Sequence, residues 1–471
     1  MDHNRTPIME ALQVYEQREI YSFHVPGHKS GKVWPDHKKA YFKDILRIDA
    51  TELEGLDDLY APAGALLEAE LLLSDYYQTK HSFLLVNGST VGNLTMILSS
   101  CHPGDTLLVQ RNAHQSIFNA LKLANVKAVF LEPVRDPFTK MGVGLTEETL
   151  VQALQQFPEA KGLVLTYPNY YGQTLPVEKV ILLAKQAGLG VMVDEAHGPH
   201  FKWGFPFPSS CLEYGADMVV HSAHKLLPSM TMGAYLHLNS DWVSKDRVLN
   251  TIKMLQTSSP SYPIMASLDI GRSFLATLEP SGVSQILGSI KWFKKQLTLM
   301  GFRVDPTPLG QADPLKLAIQ REGYTGYELK RRFESVGLYP EMADSFNLLL
   351  VLGWDLHPPF DDIIDGLSQM EWEIRPSKPE RPTVPLPLRL QAIPFTRMAS
   401  EETELIRLTT ANGKRTAENV VPYPPGVPVL IEGEEITEEA IQAIYGWKQN
   451  QVVIHGLIEK EGDLWIKINK R

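Results

Sequence analysis

Cysteine is nearly missing: Cys101 and Cys211 are the 2 in 471 residues. So few exclude a disulfide framework and fit a reducing cytoplasm. Long apolar runs are missing too. The chain is 44% hydrophobic, enough for buried cores, yet no uninterrupted stretch approaches the roughly 20 residues that span a bilayer. The opening MDHNRTPIMEAL lacks the basic-then-apolar layout of a secretion signal. Positive charge is in short supply, and the net charge of -10 argues against nucleic acid as the main partner while slightly favouring cationic substrates. A G-x-x-x-x-G-K-[ST] phosphate loop is absent as well. The nearest candidate, Gly27 to Val33, has the wrong spacing and no hydroxyl after its lysine, so the DEAH run at Asp194 is not the second motif of a helicase ATPase. What is left is a globular chain too long for one ordinary core, of two or more domains.

What is present centres on Lys225, in HSAHK, and Asp194, in VMVDEAH. Each follows a short apolar run, GLGVMV and ADMVV, bounded by Gly or polar residues, which predicts buried strands rather than helices. Strand ends are where an open α/β sheet presents its ligands. An amine able to form a Schiff base, paired with a carboxylate able to keep a ring nitrogen protonated, is what pyridoxal phosphate requires. Upstream, FLLV followed by Asn87-Gly88-Ser89-Thr90 and VGNLTMILSS reads as strand, tight turn and helix start. Backbone amides there, with the Ser89 and Thr90 hydroxyls, suit a dianion, although such a turn alone is also an ordinary helix cap. His114, in RNAHQS, is positioned to lie on a cofactor ring face.

From FHVPGHKSG at 23–31, through NGST, RNAHQS, DEAHGPHF and HSAHK, to PYPPGVP, the chain resembles the Orn/Lys/Arg decarboxylase family of fold-type-I pyridoxal-phosphate enzymes. The resemblance implies an aspartate-aminotransferase-like α/β fold with a mostly parallel central sheet and a C-terminal α+β domain. It implies Lys225 as the Schiff-base lysine, Asp194 on the pyridine nitrogen, His114 stacked on the ring and Ala196 packed beneath it. Gly88, Ser89, Thr90, Ser222 and His224 would surround the phosphate, with His197 near the ring hydroxyl or the substrate. Thr257 and Ser258, in TSSPSY, would reach the phosphate of a neighbouring subunit and make a homodimer obligatory. By default, hydroxyls before a proline are only a turn.

Along the chain, residues 1–60 read as an arm that begins with a helix from Pro7 to Glu19, with no room for the further N-terminal domain and ring assemblies of larger family members. Residues 61–300 read as the cofactor-binding domain, in which GALLEAELLLSDYYQTK, QSIFNALKLAN and PVEKVILLAKQAG are amphipathic helices between strands. Residues 301–471 read as a small domain with FRVDP and NLLLVLGW as strands, and a proline-dense connection from Pro376 to Pro394. There LQAIPFTRMAS departs from the family pattern.

Expected chemistry is loss of carbon dioxide from a basic amino acid. Arginine, for polyamine synthesis, is favoured by family analogy over lysine or ornithine. An α-oxoamine synthase, which also pairs DEAH with a later lysine, and a non-catalytic scaffold of the same fold are the competitors. A zinc site from His197-x-x-His200 and His221-x-x-His224 with Asp194 or Glu195 would leave Lys225 and NGST unexplained; no metal is expected. A cationic side chain wants carboxylates, and the candidates are Glu52, Glu54, Asp57 and Asp58, or Glu432, Glu434 and Glu435.

Overall fold

The computed structural model describes the chain except residues 19–20, 306–308, 377–391, 395–401, 424–425, 461 and 471. Most of the Pro376 to Pro394 connection and of LQAIPFTRMAS, and the two prolines inside YPPGVP, therefore lie outside the described residues. The strands that matter are β1 (His81–Leu85), β2 (Thr106–Gln110), β3 (Lys127–Leu131), β4 (Gly162–Thr166), β5 (Gly190–Asp194), β6 (Met218–His221), β7 (Ala234–Leu238), β8 (Lys316–Gln320), β9 (Leu348–Val351) and β10 (Ala392–Pro394). Packing divides the chain into one unit of residues 1–101 and 184–283, and a second of 102–183 and 284–471.

In the first unit the strands run in the order β1-β7-β6-β5. β5 and β6 pair in parallel, and β7 is antiparallel to both of its neighbours, so every strand but β7 points the same way. β5 is buried along its whole length, as the apolar runs before Asp194 and Lys225 predict. Helix α1 (Pro7–Glu16) stops short of the expected Glu19, because the chain turns at Gln17. Helix α2 (Ala65–Tyr77) buries Leu66, Ala69, Leu72, Leu73 and Tyr77 at helical spacing. Its start is fixed by Asp57, whose carboxylate accepts from the amides of Ala63, Gly64, Leu66 and Leu67 at 2.7–3.3 Å. Helix α3 (Gly88–Ser100) follows β1, as NGST predicts. The helical stretch after Asp241 is broken at TSSPSY, between Lys245–Leu255 and Tyr262–Ala276.

In the second unit the order is β4-β2-β3-β10, parallel except for β10. Leu107, Leu108 and Val109 of β2 are fully buried, each contributing about 1.5–3 kcal/mol relative to exposure. Helix α4 (Gln115–Ala124) sits between β2 and β3. A separate antiparallel sheet contains β8 paired with β9, and the last segment packs strands against the helix Glu438–Gln449 around Leu430, Ile436, Ile444 and Ile466. This is the α/β fold with a C-terminal α+β region. Among the described residues, no helix is long and apolar enough to cross a membrane.

Candidate active site

Asp194 ends β5, and Lys225 lies in the short helical turn Ala223–Leu226 just past β6. Because β5 and β6 are parallel, with Asp194 opposite Val220, both residues emerge at the same sheet edge. Asp194 is buried and its charge is met by two donors. Asn93 Nδ2 donates to Oδ2 at 2.8 Å, and the Ala196 amide donates to Oδ1 at 3.2 Å. Lys225 Nζ lies 3.0 Å from His197 Nε2. The Ser222 amide donates to the Ala196 carbonyl at 3.3 Å, which extends the strand pairing through the segment carrying Ala196, His197, Ser222, His224 and Lys225.

The phosphate-type turn is tied to that segment by a loop the sequence did not single out. Gly88 N donates to the Met232 carbonyl at 2.8 Å, and His224 N donates to the Gly233 carbonyl at 3.3 Å. His224 Nδ1 lies 3.2 Å from the same Gly233 oxygen. Burial lowers the His224 imidazole, the Gly233 bond opposes this, and the charge of Lys225 adds to the lowering. Gly88 has φ +78°, and a Cβ there would meet nothing within 4 Å. No side chain caps α3. Asn87 instead accepts from the Thr257 amide at 3.3 Å within the same chain. Tyr60 donates its hydroxyl to the Thr257 carbonyl, and Thr90, Thr257 and Ser258 are exposed.

His114 belongs to the second unit. It caps α4: Nδ1 accepts from the Ser116 amide at 3.2 Å and lies 2.8 Å from Ser116 Oγ, which places its ring proton on Nε2. Gly426, of the YPPGVP motif, lies against this ring. Its carbonyl accepts from Gln115 N at 3.0 Å, its φ is +82°, and a Cβ there would be 3.2 Å from His114 Cδ2 and Nε2. Arg111 anchors the chain just beyond Gly426. It is buried, reaches both Glu434 oxygens at 3.2 and 2.8 Å, and donates to the carbonyls of Pro428 and Val429 at 2.9 and 3.3 Å.

These contacts correct the choice of substrate carboxylates. Glu434 is committed to Arg111 and to the Ile431 amide, and Glu432 pairs with Lys122 at 2.8 Å. Asp57 is the cap of α2. Burial raises its carboxyl, but the amides of Ala63, Gly64, Asp58 and Leu67 outweigh that and leave it lowered. Glu52, Glu54 and Asp58 are exposed. The two histidines of His221-x-x-His224 have different partners, His221 being bonded to Glu195 and His237.

Sequence reasoning missed Asn93, the Met232-Gly233 carbonyls, Gly426 and Arg111. Asn93 alone left a signal, as an amide in the otherwise apolar helix VGNLTMIL. In the first unit, an amine, a buried carboxylate at the adjacent strand end and an uncapped helix start with open space at Gly88 fit the carbonyl, ring nitrogen and phosphate of pyridoxal phosphate.

Two family models match the chain: the Orn/Lys/Arg decarboxylase major domain over residues 6–306 and its C-terminal domain over residues 387–448. The uncharacterized protein YaaO of Bacillus subtilis is 44% identical over 451 residues, 93% of each chain. An arginine decarboxylase of the same organism is 32% identical over 462 residues, 94% of each chain. The structure of the Escherichia coli constitutive lysine decarboxylase superposes with a TM-score of 0.80 at 17% identity, covering all of this chain and 82% of that one. With Lys225 and Asp194 at neighbouring strand ends of an α/β sheet, and relatives matched over nearly their whole length, the chain belongs to the Orn/Lys/Arg decarboxylase family and is an amino acid decarboxylase.

Proposed function

We propose that the protein uses pyridoxal phosphate to decarboxylate a basic L-amino acid, arginine to agmatine, in the service of polyamine synthesis. The observation that carries this is the pairing of Lys225 with His197 and of Asp194 with Asn93 on adjoining strand ends. Support for arginine comes from the arginine decarboxylase matched at 32% identity over 94% of both chains.

Lys225 would hold the cofactor covalently through Nζ, with Asp194 at the ring nitrogen and Ala196 and His114 against the ring. Gly88, Ser89, Thr90, Ser222 and His224 would take the phosphate. Once bound, pyridoxal phosphate supplies an electron sink for the pair left behind when the α-carboxylate departs as carbon dioxide. Asp194 keeps the ring nitrogen protonated, and Asn93 keeps Asp194 aimed. His197 Nε2, 3.0 Å from Lys225 Nζ, gives the lysine a partner with which to share a proton, so the one needed at the α-carbon is held at this pair. Of the candidate acids in the first unit, Glu52 and Glu54 are exposed and would meet a cationic head group, as would Asp58 by giving up the Tyr60 amide it accepts from at 2.8 Å. We further place the enzyme in the cytoplasm as a homodimer whose Thr257 and Ser258 serve the partner's phosphate.

Carbon dioxide release by the purified, cofactor-supplemented protein, with arginine, lysine and ornithine offered separately at equal concentration, tests the proposal. Arginine should be turned over fastest. Preference for lysine or ornithine would overturn the substrate assignment, and silence from all three would overturn the reaction.

A further inference from the structure

One buried polar array is unused by this chemistry. Glu195, next to Asp194, is fully enclosed. Its Oε1 lies 2.9 Å from His221 Nε2, and its Oε2 accepts from the Cys211 amide at 2.7 Å. His221 Nδ1 is 3.0 Å from His237 Nε2, His237 Nδ1 is 2.8 Å from Ser82 Oγ, and Ser82 Oγ is 2.8 Å from Thr79 Oγ1. Glu195 follows β5, and His221, His237 and Ser82 stand on β6, β7 and β1, so the array crosses the first unit's sheet in strand order. Both rings are fully buried and Ser82 nearly so. Tyr77 of α2 covers them, its ring centroid 4.4 Å from that of His237 and 5.1 Å from that of His221.

With both imidazoles neutral, two proton arrangements satisfy these bonds, and they run in opposite directions. In one, Glu195 is a neutral acid donating to His221, which donates through Nδ1 to His237, which donates through Nδ1 to Ser82. In the other, Glu195 is ionised and every donor is reversed. The two differ by one proton and by the tautomer of both histidines.

We propose that this seam is a positioning element of the decarboxylase site: it holds a proton on Glu195 Oε1, locks the segments after β5 and β6 together, and leaves Asp194 the single anion at that strand end. The proposal rests on the reading that Asp194 and Lys225 face the cofactor. Its geometric basis is the direct Glu195–His221 bond, made one residue beyond Asp194 and one residue before Ser222, where a slip would misplace both functional groups. An unpaired charge so deeply enclosed is expensive, which favours the neutral arrangement. Burial pushes the Glu195 carboxyl up to about 8, against the opposing bonds from Ser210 and Cys211 and the nearby His200. Burial likewise pushes His221 down to about 3 and His237 well below the usual range. The other titratable groups facing Glu195, the Tyr77 hydroxyl and the Cys211 thiol, are both raised well above their ordinary values by burial and stay neutral.

The test combines ring-nitrogen NMR of 15N-histidine-labelled holoenzyme with the pH titration of the lysine-bound cofactor's visible absorbance. His221 and His237 should both be neutral Nδ1–H tautomers near neutral pH. Glu195→Gln, whose amide donates to the same His221 nitrogen, should keep that pattern, the absorbance midpoint, and kcat within about twofold. His221→Phe cuts the seam at β6; it should move the midpoint and lower kcat by about tenfold or more while KM changes by less than about threefold. Ser82→Ala, a milder cut at β1, should move the midpoint in the same direction and serves if His221→Phe does not fold. Nε2–H tautomers or an imidazolium in the wild type would overturn the proposal. So would a Glu195→Gln variant as impaired as His221→Phe, or cut variants whose midpoint does not move. A wild type with no lysine-bound absorbance would instead defeat the cofactor reading, while the NMR still judges the proton's place.

Discussion

Removing the Glu434 carboxylate should loosen the second unit far more than loss of a surface charge. Arg111 keeps only 5% of its side chain in water, and half of its four hydrogen bonds go to Glu434, itself 23% exposed. Breaking a buried ion pair from one side costs about 3–5 kcal/mol, because the other charge is stranded. The partial exposure of Glu434 lowers this to about 2–3 kcal/mol for Glu434→Leu. Arg111→Met should cost less, about 1–2 kcal/mol, since the carboxylate it leaves can reach water and keeps the Ile431 amide. The double variant strands no charge, although the Pro428 and Val429 carbonyls and the Ile431 amide lose their side-chain partners, so its loss should fall short of the sum by about 1.5 kcal/mol. Urea unfolding of the four proteins, followed by tryptophan fluorescence, gives the cycle. Additivity within about 0.5 kcal/mol would refute the claim that Arg111 and Glu434 act as a pair.

Lys225→Ala should release no carbon dioxide and bind cofactor only non-covalently, seen as loss of the lysine-bound absorbance; unchanged turnover would sink the assignment. Asn93→Leu removes a charge-assisted bond of about 1.5–3 kcal/mol from Asp194, so cofactor affinity measured by fluorescence titration should weaken about ten- to hundredfold, and an unaltered Kd would mean that Asp194 does not face the ring. Gly426→Ala places a methyl 3.2 Å from His114 in a left-handed backbone; it should cost about 1–2 kcal/mol of stability, and steady-state kinetics on the folded variant should show kcat falling, a normal kcat detaching His114 from the chemistry. Glu195 should make folding pH-dependent: the unfolded chain gives up its proton near 4.5 while the folded state keeps it to about 8. Stability is then full below 4.5 and falls across that window by up to about 1.4 kcal/mol per pH unit. Denaturation at several pH values should show Glu195→Gln flattening the slope by one proton, and an identical slope would place the proton elsewhere.

How far the sequence could be read depends on how far apart the partners lie. Lys225, Asp194 and NGST were legible because each sits beside its own strand or turn, where period, glycine and hydroxyl patterns act over a few residues. Asn93 meets Asp194 from 101 residues away, and Arg111 meets Glu434 from 323, so although Asn93 stands out as an amide in an apolar helix, nothing local names the partner of either. The acids show the consequence most clearly. Read as letters, Asp57, Glu432 and Glu434 were equal candidates for a substrate's cation, because a carboxylate in a sequence carries no sign of what it already binds. Folded, each has an occupation: Asp57 caps a helix, Glu432 holds Lys122, and Glu434 holds a buried guanidinium. A substrate guanidinium could recruit Glu434 only by displacing Arg111 and stranding its charge, a loss of the same few kcal/mol that binding would have to supply. On the proposed reading, the choice among arginine, lysine and ornithine would fall to carboxylates not spent on the fold, and of the acids named for that role in the first unit Glu52 and Glu54 are exposed, while Asp58 accepts from the Tyr60 amide at 2.8 Å.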